Sequence, residues 1–216
     1  MVKDGLKFAI PPFVVGMLLL FLASLWAGGK IVLIVLGTIF VVLGLFVLYF
    51  FRDPEREIPS DAGAVVSPAD GHVIEIVDEA LNGSPGQRIS IFLSVFDVHV
   101  NRAPLAGRIT QVIYKPGRFY AAYRKRTSEE NEQNIISVDP GNGAEILFKQ
   151  IAGAIARRVL CWKQPGDIVA RGERVGMIRF GSRVDLWLPT GAEIVVRRGE
   201  KVAGGSSILA KWNSAA

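Results

Sequence analysis

Ser182 follows Gly181 between two apolar runs, Val175, Met177, Ile178 and Phe180 on one side and Val184, Leu186 and Leu188 on the other. A serine hydroxyl becomes a nucleophile when a neighbouring base takes its proton, and a glycine beside it can place the backbone at positive φ. The runs predict two strands, and the Gly-Ser-Arg tip predicts a hairpin between them. On local pattern alone that tip also reads as an ordinary polar turn. Candidate partners lie upstream. In Phe96 to Asn101 the residues alternate, which predicts a strand with Phe96, Val98 and Val100 on one face and Asp97, His99 and Asn101 on the other. Asp70 sits in a predicted turn, Pro68 to Gly71, where an aspartate can also serve by bonding its own backbone. His72 follows that turn and reads as structural. Cys161, the single cysteine, lies between Leu160 and Trp162 and reads as a packed residue in a reducing compartment. Two histidines and no cysteine cluster supply no metal site.

The elements that must position these residues begin with an anchor. Phe8 to Gly29 is a run of 22 residues without a charge, and Ile31 to Phe51 is another of 21. A hydrocarbon core needs roughly 20 helical residues to cross, so residues 1–51 predict a transmembrane helical hairpin turning at Gly28-Gly29-Lys30. Pro11 and Pro12 are expected at the start of the first span, where missing amides cost least. Lys3, Lys7, Arg52 and Arg56 flank the outer ends and only Lys30 lies in the turn, which puts both termini and the body on the cytoplasmic face of the cell membrane. The net charge of +5 favours anionic headgroups. No aromatic-interleaved basic patch or recognised motif points to a nucleic-acid partner.

Residues 52–216 read as a β-rich domain. Val65 to Val77 predicts strand, turn and strand, and Arg88 to Val100 predicts one long strand. Arg108 to Tyr114, Ile135 to Val138, Ala144 to Gln150 and Ile155 to Trp162 continue the pattern. Tyr120 to Asn134 is a polar loop or short helix whose Arg124, Lys125 and Arg126 could meet headgroups or simply be solvated. Val169 to Gly176 (VARGERVG) recurs as Val196 to Ala203 (VRRGEKVA), a repeated Gly-Glu turn suited to short strands. The expected fold is mainly β, a small barrel or sandwich-like body with no long helix, preceded by the transmembrane hairpin.

Three stretches, Ser67-Pro68-Ala69-Asp70-Gly71, Phe96 to Pro104 (FDVHVNRAP), and Arg171-Gly172-Glu173 leading to Phe180-Gly181-Ser182, stand in the order seen in phosphatidylserine decarboxylase proenzymes. The chain resembles the short, membrane-anchored form of that family. The resemblance implies a lyase of phospholipid biosynthesis made as a self-processing zymogen. Ser182 would attack the Gly181 carbonyl, and elimination would separate residues 1–181 from 182–216, leaving a covalent pyruvoyl cofactor in place of Ser182. That group would condense with the amine of phosphatidylserine and draw off the electrons released with CO2, giving phosphatidylethanolamine. The resemblance implies Asp70 as base or orienting carboxylate for self-cleavage and His99 as proton donor or relay. Its implied partners are the phospholipid substrate, the membrane, and the two fragments for each other. One departure stands out: longer members carry a second histidine three positions after the first, and this chain has Arg102 there. Arg102 could pair with substrate phosphate or carboxylate, or be an exposed arginine at a strand end.

Other readings use the same residues. Repeated Gly-Glu turns also suit lipoyl or biotinyl carrier domains, but those carry a modifiable lysine at the tip, and here Lys163 and Lys201 are far from it. A membrane-anchored scaffold without chemistry predicts one intact polypeptide. Gly205-Ser206 is a rival scission site that lacks the preceding motif.

Overall fold

The computed structural model describes residues 2–26, 28–81, 83–122, 127–141, 145–154, 158–179 and 181–212. Phe180, Arg124, Lys125, Arg126 and Ile155, all used above, lie outside the described residues. The chain divides into two compact units, Met1–Pro54 and Glu55–Ala216.

The first unit is two helices, α1 (Lys3–Leu25) and α2 (Lys30–Phe50). Phe13 lies against Gly44, Gly16 against Val41, and Leu20 against Gly37, so ascending residues of one helix meet descending residues of the other. This antiparallel pairing through small residues leaves most of the apolar surface outward, and only 17% of the most apolar stretch of each helix is buried. Mean hydropathies of 2.3 and 3.2 over spans of 21 residues make both helices long and apolar enough to cross a membrane. The prolines depart from expectation. Pro11 and Pro12 lie inside α1, which starts at Lys3. Proline's fixed φ is itself helical, so the pair costs amide donors without preventing the turn from continuing.

The second unit is mainly β. Its strands in chain order are β1 (Ala64–Val66), β2 (Gly71–Asp78), β3 (Gly86–Leu93), β4 (Val100–Arg102), β5 (Gly107–Lys115), β6 (Gln133–Asp139), β7 (Ile146–Ala152), β8 (Val159–Cys161), β9 (Ile168–Val169), β10 (Arg174–Ile178), β11 (Ser182–Pro189), β12 (Glu193–Ile194), β13 (Lys201–Val202) and β14 (Ile208–Lys211). The one described helix here, α3 (Thr127–Glu130), falls in the polar loop. Eight strands in the order β13-β2-β3-β11-β7-β6-β5-β9 make an antiparallel sheet curled into a half-barrel, and two three-stranded sheets, β1-β14-β12 and β4-β10-β8, complete the body. Alternation explains the core: Ile89, Ile91 and Leu93 of β3 and Val184, Leu186 and Leu188 of β11 face inward and are buried.

The repeated Gly-Glu segments are one turn used twice. The Glu173 amide donates to Ala170 O and the Glu200 amide to Arg197 O, at 3.1 Å each. In both, the glutamate carboxylate accepts from the amide that opens the turn, at 2.8 and 3.0 Å. Gly172 and Gly199 supply the positive φ, 77° and 90°.

Two local expectations are corrected by pairing. β10 and β11 are not a hairpin: β10 pairs with β4 and β8, whereas β11 pairs with β3 and β7. Gly181 therefore marks a corner where the chain leaves one sheet for another. The long strand expected from Arg88 to Val100 is also broken. The Ser94 amide and hydroxyl both donate to the Asp97 carboxylate, at 2.8 and 2.7 Å, and the Asp97 amide donates to Ser94 O, closing a turn between β3 and β4.

Candidate active site

Ser182 is the first residue of β11, held on both sides by the ladder, opposite Leu93 of β3 and Ala152 of β7. Those pairings put its side chain on the core face. The residue is completely buried, and among the described residues its hydroxyl oxygen has no hydrogen-bond partner. A buried orphan hydroxyl costs about 1–3 kcal/mol, so its retention at this position calls for a function. Gly181, just before it, has φ of 56°, in the left-handed region that glycine enters without steric cost.

The Gly181 carbonyl is seated on Gly153, just past the end of β7. A methyl built on Gly153 would stand 2.0 Å from Gly181 O and 2.9 Å from Gly181 C, so only glycine admits the carbonyl there. Nothing in the local sequence around Gly153 marks it, because the approach is made by a residue 28 positions away (181 minus 153). A pocket of about 310 Å³ opens beside Gly181, lined mainly by Phe92, Val95, Ala121, Ala122 and Ala154.

His99 is brought to this bond. Fully buried, it receives the Gly181 amide on Nε2 at 3.3 Å, and its Nδ1 lies 2.9 Å from Asp97 O. A carbonyl can only accept and an amide only donate, so these contacts specify the neutral ring with the proton on Nδ1. Asp97 thus orients the imidazole by its backbone, and its carboxylate serves the Ser94 turn rather than sharing a strand face with His99 and Asn101.

Asn101 belongs to a second arrangement. Its Oδ1 accepts from Gln150 Nε2 at 2.9 Å, and Gln150 Oε1 accepts from Asn134 Nδ2 at 3.1 Å. The Asn101 and Gln150 side chains are fully buried, so this amide chain ties β4 to β6 and β7 across the core. The Arg102 amide donates to Pro68 O at 2.9 Å, fastening the Ser67 to Gly71 turn to the strand just after His99.

Asp70 is in that turn, but its bonds go elsewhere. Its carboxylate accepts from Arg56 at 2.9 and 2.7 Å and from the Gly204 amide at 2.7 Å, and neither Ser182 nor His99 is among its partners. Arg102 is buried at 5% exposure and donates to Gly172 O at 3.0 Å, so it is not an exposed arginine at a strand end. His72 is exposed on β2, and Cys161 is half-buried at the end of β8.

The outward face of β11 carries charges that its apolar run does not announce. Arg183 and Asp185 are 1% and 0% exposed and joined at 2.6 Å. Arg183 also donates to Ser90 Oγ at 2.7 Å and reaches Glu75 at 3.3 Å, while Ser128 of α3 donates to Asp185 at 2.5 Å. Arg88 joins Glu75 at 3.0 Å and Glu79 at 2.7 Å. Burial would raise the Glu75 carboxyl, but Arg88 and Arg183 outweigh it and hold the group below 4.5.

Fold and site together define a class: a mainly β body in which a buried, unbonded serine follows a left-handed glycine at a corner between sheets, with a neutral histidine on the same peptide. The sequence model of the phosphatidylserine decarboxylase family matches residues 43–210. The chain is 52% identical over 186 residues to a phosphatidylserine decarboxylase proenzyme of Solibacter usitatus, covering 86% of each. It is 49% identical over 179 residues to that of Desulfotalea psychrophila, covering 81% of this chain and 83% of the relative, and 44% identical over 201 residues to that of Chlorobium chlorochromatii, covering 92% and 90%. The chain belongs to the phosphatidylserine decarboxylase family.

Proposed function

We propose that the chain is a membrane-bound zymogen that cleaves itself between Gly181 and Ser182 and then decarboxylates phosphatidylserine to phosphatidylethanolamine with the resulting pyruvoyl group. The observation that carries the reading is the buried Ser182 hydroxyl, without a partner among the described residues, next to a glycine at positive φ. A serine held that way is unencumbered for attack and unusual to retain for any structural purpose.

In the precursor, Ser182 Oγ adds to the Gly181 carbonyl carbon, the C–N bond breaks, and the amide becomes an ester with a free amine on residue 182. Loss of the Ser182 Cα proton then breaks the Cβ–O bond and releases residues 1–181 with a carboxylate end. The remaining enamine takes up water and loses ammonia, leaving the pyruvoyl group on a fragment of 35 residues (216 minus 181). Gly153 fixes the carbonyl under attack. His99, with its Nε2 lone pair facing the same residue, is positioned to move protons as the amide is dismantled. Asp70 acts as an orienting carboxylate, because its bonds to Arg56 and Gly204 steady the turn that is fastened to β4 behind His99. The pyruvoyl group supplies a carbonyl that withdraws the electrons left when CO2 departs.

Residues 1–51 hold the enzyme in the cell membrane, with the body on the cytoplasmic face by the distribution of Lys and Arg around the spans. Intact mass of the purified chain, with and without Ser182→Ala, tests the whole reading. Two fragments splitting after Gly181, the smaller bearing a pyruvoyl mass and absent from the variant, is the expected result. One chain of 23.5 kDa in both samples overturns it.

A further inference from the structure

Resting on that reading, we infer that the seat now holding the Gly181 carbonyl receives the carboxylate of the substrate once residues 1–181 have separated from residue 182. The seat is bounded by Gly153 and Ala122. The position a Gly153 methyl would take is 2.0 Å from Gly181 O and 3.3 Å from Ala122 Cβ, so the carbonyl oxygen occupies what would otherwise be side-chain space. Ala122 is 4% exposed. On the open side lies the 310 Å³ pocket.

Precursor and substrate are linked by connectivity. In the precursor, the Cα of residue 182 bears a nitrogen, and that nitrogen bears the Gly181 carbonyl carbon. This carbon has two heavy substituents: the oxygen over Gly153, and the Gly181 Cα, whose amide faces His99 Nε2. The amine of the substrate must react at the same Cα. Its nitrogen likewise bears a carbon with two heavy substituents, a carboxylate and a CH2 arm leading to the phosphate. Outward from residue 182 the pattern of atoms is the same, so the directions open to the precursor are those open to the substrate.

Size assigns the two groups. The side bounded by Gly153 and Ala122 suits the carboxylate, which ends within three atoms, whereas the phosphate arm continues to two acyl chains and needs the open pocket. Chemistry agrees with size. The walls named are the Gly153 Cα and the Ala122 methyl, so a carboxylate there loses water without gaining a charge partner from either, while neutral CO2 loses nothing. The seat thereby favours departure of CO2 from the carbon that bears it.

The test uses the self-processed full chain in mixed micelles of non-ionic detergent with either phosphatidylserine or phosphatidylethanolamine, and cyanoborohydride to fix a bound amine to residue 182. Intact mass of the 35-residue fragment then reads total adduct, and whether it retains the carboxyl. Ala122→Val fills the seat; adduct is read as a fraction of the processed fragment, so slower self-cleavage does not enter, and one or two methylenes in a confined site change occupancy by about tenfold or more, so adduct from phosphatidylserine falls by that factor and adduct from phosphatidylethanolamine falls less. Ala122→Ser, a smaller change, adds a donor that stabilises the carboxylate and raises the fraction of adduct retaining CO2. Equal loss of adduct from both lipids in Ala122→Val, or an unchanged ratio in both variants, overturns the inference. A wild-type fragment that carries pyruvoyl but traps neither lipid would instead sink the substrate reading beneath it.

Discussion

At Gly153 the absence of one methyl decides whether the bond proposed to break can be held at all. An alanine Cβ would stand 2.0 Å from Gly181 O, so Gly153→Ala must displace the Gly181 carbonyl from its seat. Misplacing a reacting group by about 1 Å can cost about a hundredfold in rate, and the variant is expected to accumulate as an intact precursor slowed by at least that factor. Intact mass over time checks this. Hydroxylamine, which cleaves esters, locates the block: no new fragment in the variant means that the Ser182 ester never forms. Cys161 makes a different prediction. Burial pushes its thiol above the usual 9.0, so the folded protein keeps a proton that the unfolded chain releases. The stability so gained is complete below pH 9.0 and is lost as pH rises through the higher folded value. At pH 8 the folded protein should alkylate with iodoacetamide more slowly than the urea-unfolded chain, and equal rates would refute the shift.

Strand β11 shows what one element does for both faces of the half-barrel. Its even-numbered residues Ser182, Val184 and Leu186 line the core, and its odd-numbered Arg183 and Asp185 build the ion network on the other face. A slip of one residue would carry Arg183 into the core and Ser182 away from it, so the buried charges fix the register that presents the serine. Arg183→Met leaves Asp185 buried without its closest cation and should cost about 3–5 kcal/mol, whereas Arg183→Met with Asp185→Leu should recover part of the loss. Urea denaturation in a Ser182→Ala background, where processing cannot intervene, measures both. The same strand marks how far the sequence was legible. Its apolar alternation gave the strand, and the stretch leading to Gly181-Ser182, in order after Ser67 to Gly71 and Phe96 to Pro104, gave the family. It did not give the partners, because two apolar runs around a glycine look alike whether they pair with each other or, as here, with strands earlier in the chain: β11 lies 30 to 40 residues after its partners in β7 (Ala152 opposite Ser182, Leu147 opposite Trp187) and 89 to 103 after those in β3 (Leu93 opposite Ser182, Gly86 opposite Pro189). Asp97 failed for a related reason: alternation from Phe96 to Asn101 fitted a strand, but Ser94 offered its carboxylate a turn. The Gly-Glu repeat was legible because a turn closed within four residues carries its own signal.

Across the whole molecule, the two units bury apolar surface in different ways. Every strand lies after Pro54, and the hydrophobic core cluster runs from Val65 to Ala210, so the body has a core of its own. The helices α1 and α2 leave most of their apolar surface uncovered, as a lipid-facing pair would. All residues of the candidate site, from Asp70 to Ser182, come from the second unit. A chain beginning at Glu55 is therefore expected to fold, to cleave at Gly181-Ser182 as proposed for the full protein, and to remain in solution when phosphatidylserine vesicles are floated on a density gradient. The full protein, reconstituted with the same vesicles, should float with them at high salt, which screens the attraction of a +5 chain for anionic lipid but not the burial of two apolar helices. If the shortened chain folds and fails to cleave, the first unit contributes to the site. If it folds, cleaves and floats at high salt, the body itself carries the membrane attachment.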